Sequence, residues 1–204
     1  MKKEISSDEL SKMFDLGQKT CREFKLKVRQ AMRSSRRYPL EGEVFVKDFC
    51  IENEEINRKT NRGKDGKRRI IVAVETGKRN YGRAYATVVK DATCYTYGSF
   101  LKKHVKADAD IVMDNWNGYK PLLSKYKNMR QVPSNDGENF PELYHHFLNI
   151  KSWLQGKDRH CSENQLQEYL DEYHFKFNRR KRTGVIFDTL IRRMVQNKPK
   201  RLSD

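Results

Sequence analysis

The stretch Gly42-Glu43-Val44-Phe45-Val46-Lys47-Asp48-Phe49-Cys50-Ile51 decides how this chain is read. It is rich in β-branched and aromatic residues and reads as a strand. Strand side chains alternate between faces, so Phe45 and Lys47 share one face and Asp48 points to the other. Two more strand-like runs follow, 69–75 and 83–90, joined by the loop Thr76-Gly77-Lys78-Arg79-Asn80-Tyr81-Gly82, which suits a hairpin. Beyond them the pattern predicts a helix over 99–105, a strand over 110–113 that ends at Asp114, a helical stretch over 119–126 and a strand over 129–132. Helices are expected over 141–156, 163–179 and 185–196. Three strands, a helix, a strand and then alternating elements is an α/β order.

Ahead of the first strand, residues 5–34 read as two helices. Ser6 or Ser7 can cap the first, with Glu9 in its opening turn, and Leu16-Gly17-Gln18 supplies the turn between them. A short helix, a glycine-containing turn and a basic second helix match a helix-turn-helix, whose recognition helix Gln18, Lys19, Thr20 and Arg22 would head. An ordinary helical hairpin matches them equally well. With Ser34-Ser35-Arg36-Arg37-Tyr38-Pro39 as linker, the expected division is a helix-turn-helix-like segment over 1–37 and an α/β domain over 38–204.

The charge bounds the partner. Lys and Arg number 43 against 27 Asp and Glu, a formal excess of +16. Such self-repulsion points to a polyanionic partner, and nucleic acid is the default because each neutralised phosphate releases counterions. The polar segment 52–68 carries Lys64, Lys67 and Arg68 toward its end, and the sequence after 177 carries Arg179, Arg180 and Lys181. Both suit contact with a phosphate backbone; solvation is the alternative, equally good for the second, while the charge excess leans the first toward phosphate. The longest apolar run, Ile70 to Val74, is far short of the roughly 20 residues of a membrane span. Met1-Lys2-Lys3-Glu4 has no apolar stretch of the kind a signal peptide shows. Cys21, Cys50, Cys94 and Cys161 include no C-x-x-C pair, which argues against a zinc ribbon or a disulfide scaffold and for reduced thiols in a cytoplasmic protein.

Three further blocks carry chemistry. The first is Asp110-Ile111-Val112-Met113-Asp114-Asn115-Trp116-Asn117-Gly118-Tyr119, an apolar strand ending in an acid. The second is Asn149-Ile150-Lys151-Ser152-Trp153-Leu154-Gln155-Gly156, within a helix whose stripe Leu143, Phe147, Ile150 and Leu154 should face the core. Glu142, His145, His146 and Asn149 are expected on a different side. The two histidines are possible metal ligands, though residues so placed are more often polar surface. The third is Tyr169-Leu170-Asp171-Glu172-Tyr173-His174-Phe175-Lys176-Phe177-Asn178-Arg179-Arg180, with Leu166, Tyr169, Leu170, Tyr173, Phe175 and Phe177 as core residues.

Together these blocks resemble bacterial insertion-sequence transposases of the DDE superfamily, in the branch where Asn often replaces the third acid. The resemblance spans about residues 5–195 and is most specific at Trp116-x-Gly118-Tyr119 and at the block ending Phe177-Asn178-Arg179-Arg180. It implies a ribonuclease-H-like mixed sheet with flanking helices. It implies double-stranded DNA as partner, with terminal inverted repeats, a homodimer on that DNA, and a cytoplasmic, nucleoid-associated protein. It implies two Mg²⁺ or Mn²⁺ ions held by acids from separate elements, one activating the attacking hydroxyl and one stabilising the leaving oxygen. Asp114 matches the second acid and Asn149, 35 positions later, the third. Both would be catalytic and metal-binding.

The chain departs from the family at the first acid. The family reads close to E-V-E-V-D-E-F where this chain has Glu43-Val44-Phe45-Val46-Lys47-Asp48-Phe49. Lys47 stands at the metal-binding Asp, and Asp48 could take over only through a bulge that shifts the register. Many relatives also carry an N-terminal zinc ribbon, which has no counterpart in these cysteines. Two functions follow: a metal-dependent DNA strand transferase served by Asp114, Asn149 and Asp48, or a DNA-binding protein descended from one that no longer cuts. An unrelated RNA-binding protein is a third, without an RNA-recognition motif to support it.

Overall fold

The computed structural model describes residues 5–34, 38–52, 67–77, 80–155 and 163–196. The chain forms two compact units, one of residues 34–178 and one of residues 1–33 with 179–204.

The larger unit is a five-stranded sheet of β1 (Glu43–Glu52), β2 (Lys67–Gly77), β3 (Asn80–Val89), β4 (Asp110–Asp114) and β5 (Met129–Val132), in the order β3-β2-β1-β4-β5. β1, β2 and β3 form an antiparallel meander, while β1, β4 and β5 run parallel. This mixed order, with helices on both faces, is the ribonuclease-H-like arrangement expected. α3 (Cys94–His104) and the short α4 (Lys120–Leu123) serve one face; α5 (Pro141–Gln155) and α6 (Glu163–Phe177) serve the other. Strand alternation sorts the side chains between two cores. Val44, Val46, Ile71, Ala73, Ile111 and Met113 pack with Tyr97, Phe100 and Leu101 of α3. Ile70, Val72, Val74 and Val112 pack with Leu143, Phe147 and Ile150 of α5 and with Leu166 and Leu170 of α6. Burial on both faces explains why β2 reads as a continuous apolar run rather than an alternating one.

Two helices differ from expectation. The helix expected from residue 99 starts at Cys94, because the Thr93 side chain caps it by accepting from the Thr96 amide. The helical stretch expected over 119–126 is shorter, a 3-10 turn over Asn117–Tyr119 followed by α4.

The outer edge of β3 is closed by amide side chains of and after α6. Asn178 accepts from the Ala84 amide at 2.8 Å and donates to the Ala84 carbonyl at 2.9 Å. Gln167 accepts from the Val88 amide at 2.9 Å and donates to the Ala86 carbonyl at 3.3 Å. Two side chains thereby stand in for a sixth strand and mask an edge that would otherwise invite pairing.

In the smaller unit, Ser6 caps α1 (Ser7–Phe14) in a reciprocal capping box with Glu9. A turn at Asp15–Gly17 leads into α2 (Gln18–Met32). α7 (Ile186–Gln196) belongs to this unit. Its Arg193 guanidinium donates to the carbonyls of Ala31 at 3.2 Å and Arg33 at 3.1 Å, satisfying the open carbonyls that end α2. No helix among the described residues is long and apolar enough to cross a membrane.

Candidate active site

Parallel pairing aligns Val46 of β1 with Met113 of β4, so the next residues of both strands, Lys47 and Asp114, emerge side by side at the carboxyl edge. The Lys47 ammonium lies 3.4 Å from Asp114 Oδ2 and donates to Ser134 Oγ at 2.6 Å. Both charged side chains are mostly shielded, with 23% and 20% of their surface exposed. Asp114 Oδ1 is buried without a hydrogen-bond partner among the described residues.

The residues flanking Lys47 on that face of β1 are aromatic. Phe45 meets Phe140 edge to face with centroids 5.6 Å apart, and Phe49 stacks on Phe147 of α5 at 4.1 Å. The lysine therefore stands between two aromatic pairs, on the face where the resemblance leads one to expect acids.

Asp48 takes the opposite face. Its Oδ1 accepts from the Tyr97 hydroxyl at 2.6 Å, and its Oδ2 is paired with the Arg69 guanidinium. Burial pushes the Tyr97 hydroxyl far above its ordinary range, and the adjacent Asp48 carboxylate adds to the effect, so the phenol keeps its proton and donates it. Burial likewise raises the Tyr119 hydroxyl. Asp48 and Asp114 nevertheless line one concavity of about 480 Å³ at the sheet edge, together with Arg69, Thr93, Trp116 and Tyr119.

Asn149 is an exposed residue of α5. No hydrogen bond or ion pair joins it to Asp114 or Asp48 among the described residues. His146, expected on the polar side of α5 with Glu142, His145 and Asn149, is instead 2% exposed. It lies three residues after Leu143 and four before Ile150, and so falls on the core stripe. Its Nε2 is 3.1 Å from His174 Nε2 of α6, and His174 Nδ1 is 2.6 Å from the Leu170 carbonyl. A carbonyl can only accept, so His174 donates through Nδ1 and accepts at Nε2 from His146. Burial lowers His174 to about 4, so its ring stays neutral within the packed interface with His146.

The basic candidates lie on separate elements. Gln18, Lys19, Thr20 and Arg22 are exposed at the start of α2, where Gln18 bridges Asp8 and Arg22. Lys67 and Arg68 open β2, and Lys64 lies outside the described residues. Arg179 and Arg180 are half-buried and Lys181 is exposed, all just after α6.

The model of the ISXO2-like transposase domain matches residues 39–178. The chain belongs to this family of insertion-sequence transposases. No curated protein matches it. The matched span runs from just before β1 to Asn178, the residue that closes the β3 edge. Transposases of the DDE superfamily generally use divalent metals, and the side chains present can be tested against that need. A two-metal centre needs several carboxylates converging on one point. Here one acid faces an ammonium and a second is engaged by a guanidinium and a phenol. Among the described residues, no three His, Cys, Asp or Glu side chains gather into a metal-holding group. The residues at this edge do not fit a two-metal centre.

Proposed function

We propose that this chain is a DNA-binding member of the transposase family whose metal-dependent cutting centre has been replaced by an internal ion pair. One observation carries this reading: the Lys47 ammonium stands 3.4 Å from Asp114, in the space a cation would need. An ammonium supplies a fixed positive charge to the carboxylate but can ligate nothing. It also repels any divalent ion that approaches. DNA contact rests on many residues and survives the loss of one acid. It is supported by the +16 formal charge, and by the exposed Lys19, Thr20 and Arg22 at the head of α2, which we assign to a helix-turn-helix. Arg68, Arg179, Arg180 and Lys181 add backbone contacts in the same reading, and the DNA it fits best is a pair of terminal inverted repeats held by a homodimer.

The retained strand-transfer reading draws on the shared concavity of Asp48 and Asp114. A single experiment separates the two. Labelled duplexes carrying candidate terminal repeats are titrated by fluorescence anisotropy at increasing salt, and supercoiled DNA is incubated in parallel with Mg²⁺ or Mn²⁺. Binding that weakens steeply with salt, without nicking or joining, is the expected result. Nicking that disappears in Asp114→Ala would overturn the proposal.

A further inference from the structure

We propose that the concavity beside Asp114 seats one unpaired nucleobase of the DNA, with Trp116 as its stacking platform. This rests on the DNA-binding reading above and adds the ligand chemistry of one place on the surface. Trp116 follows the strand-ending acid by two residues and is 45% exposed. Its ring lies directly over the Gly118 backbone: a Cβ at Gly118 would come within 2.1 Å of two ring carbons, so only glycine permits this seat. Tyr119, itself buried, meets the indole edge to face at 4.8 Å. From β5, Gln131 donates to the Trp116 carbonyl at 2.8 Å and to the Asp114 carbonyl at 3.2 Å, which fixes the backbone that carries the ring. An indole held in place before any ligand arrives loses little freedom on binding, which is what makes a platform effective.

The charges around it favour a neutral guest. Arg69 is matched by Asp48, and Asp114 by Lys47. A phosphate entering the concavity would meet no unmatched cation there and two carboxylates. A planar heterocycle would meet the aromatic face of Trp116 in a lining whose charges are already paired. A concavity of about 480 Å³ has room for one base. Such a seat takes a base already free of its partner, at a single-stranded tail or a frayed end, because every base offers a π-face whatever its sequence.

The test compares a blunt duplex with the same duplex carrying a three-nucleotide single-stranded tail, by fluorescence anisotropy. Wild-type protein is expected to bind the tailed duplex roughly tenfold more tightly. That ratio should fall to about one in Trp116→Ala and stay several-fold in Trp116→Phe, which keeps an aromatic face. Added salt should weaken both complexes while leaving the wild-type ratio in place, since stacking releases no counterions. A Trp116→Ala protein with the wild-type ratio, or a wild-type ratio of one, overturns the base seat and leaves the DNA reading standing. Wild-type protein that binds neither duplex overturns the DNA reading itself.

Discussion

Exchanging Lys47 for Asp should convert the carboxyl edge of the sheet into a cation site. The gross electrostatics follow from the geometry. At the observed separation of 3.4 Å, the ammonium and the Asp114 carboxylate attract by about 5 kcal/mol at an effective dielectric of about 20. A divalent ion beside Asp114 would also stand about 4 Å from the ammonium, at a cost of about 8 kcal/mol on the same footing. An aspartate in place of the lysine reverses the sign of that interaction. Desolvation and screening remove most of the resulting swing. If a quarter survives, about 4 kcal/mol, Mn²⁺ affinity rises about a thousandfold. Isothermal titration calorimetry with Mn²⁺ reads this directly. Wild type should give flat heats into the millimolar range, Lys47→Asp a saturable isotherm, and Lys47→Asp with Asp114→Asn a return to flat. The metal-free Lys47→Asp protein should melt below wild type, because two carboxylates then face each other, and should recover on adding Mn²⁺. A folded Lys47→Asp protein that binds Mn²⁺ no better than wild type would refute the reasoning, as would a wild-type protein that already binds it tightly.

Two further outcomes follow from the packing. Asn178→Ala removes two hydrogen bonds to the β3 edge and should lower stability by about 2 kcal/mol in urea unfolding, with Asn178→Gln failing to restore it because the longer side chain misplaces the amide. His174, held at about 4 by burial against an ordinary 6.5, is neutral in the fold, while the unfolded chain takes up the proton first. Its contribution is therefore complete above pH 6.5 and is lost as pH falls toward 4, about 3 kcal/mol in all. Urea unfolding at pH 7 and pH 4.5 should show a smaller difference in His174→Leu than in wild type; equal differences would mean that the buried pair is not the source.

Much of the fold was legible because its signals are local. Alternation in 43–51 placed Lys47 and Asp48 on opposite faces, and every expected strand is present within three residues at each end. The misplaced start of α3 had a readable signal, the Asp91-Ala92-Thr93 cap, which periodicity alone overlooks. His146 was equally readable: its spacing from Leu143 and Ile150 puts it on the core stripe, but its polarity argued for the surface. His174 supplies an acceptor for its buried ring, and that partner comes from another helix.

The sequence by itself determined the order of elements, the apolar faces of the strands and helices, the basic charge, and the presence of a lysine where the family has an acid. Each is a property of a short window, fixed by side-chain period and residue type. Only the tertiary structure decided what that lysine touches, since the Lys47–Asp114 contact exists through parallel pairing of strands far apart in the chain. The same holds for the engagement of Asp48 by Arg69 and Tyr97, the closure of the β3 edge by Asn178, and the packing of α7 with α2. Contacts of that kind depend on which distant surfaces meet, and no local period encodes the choice.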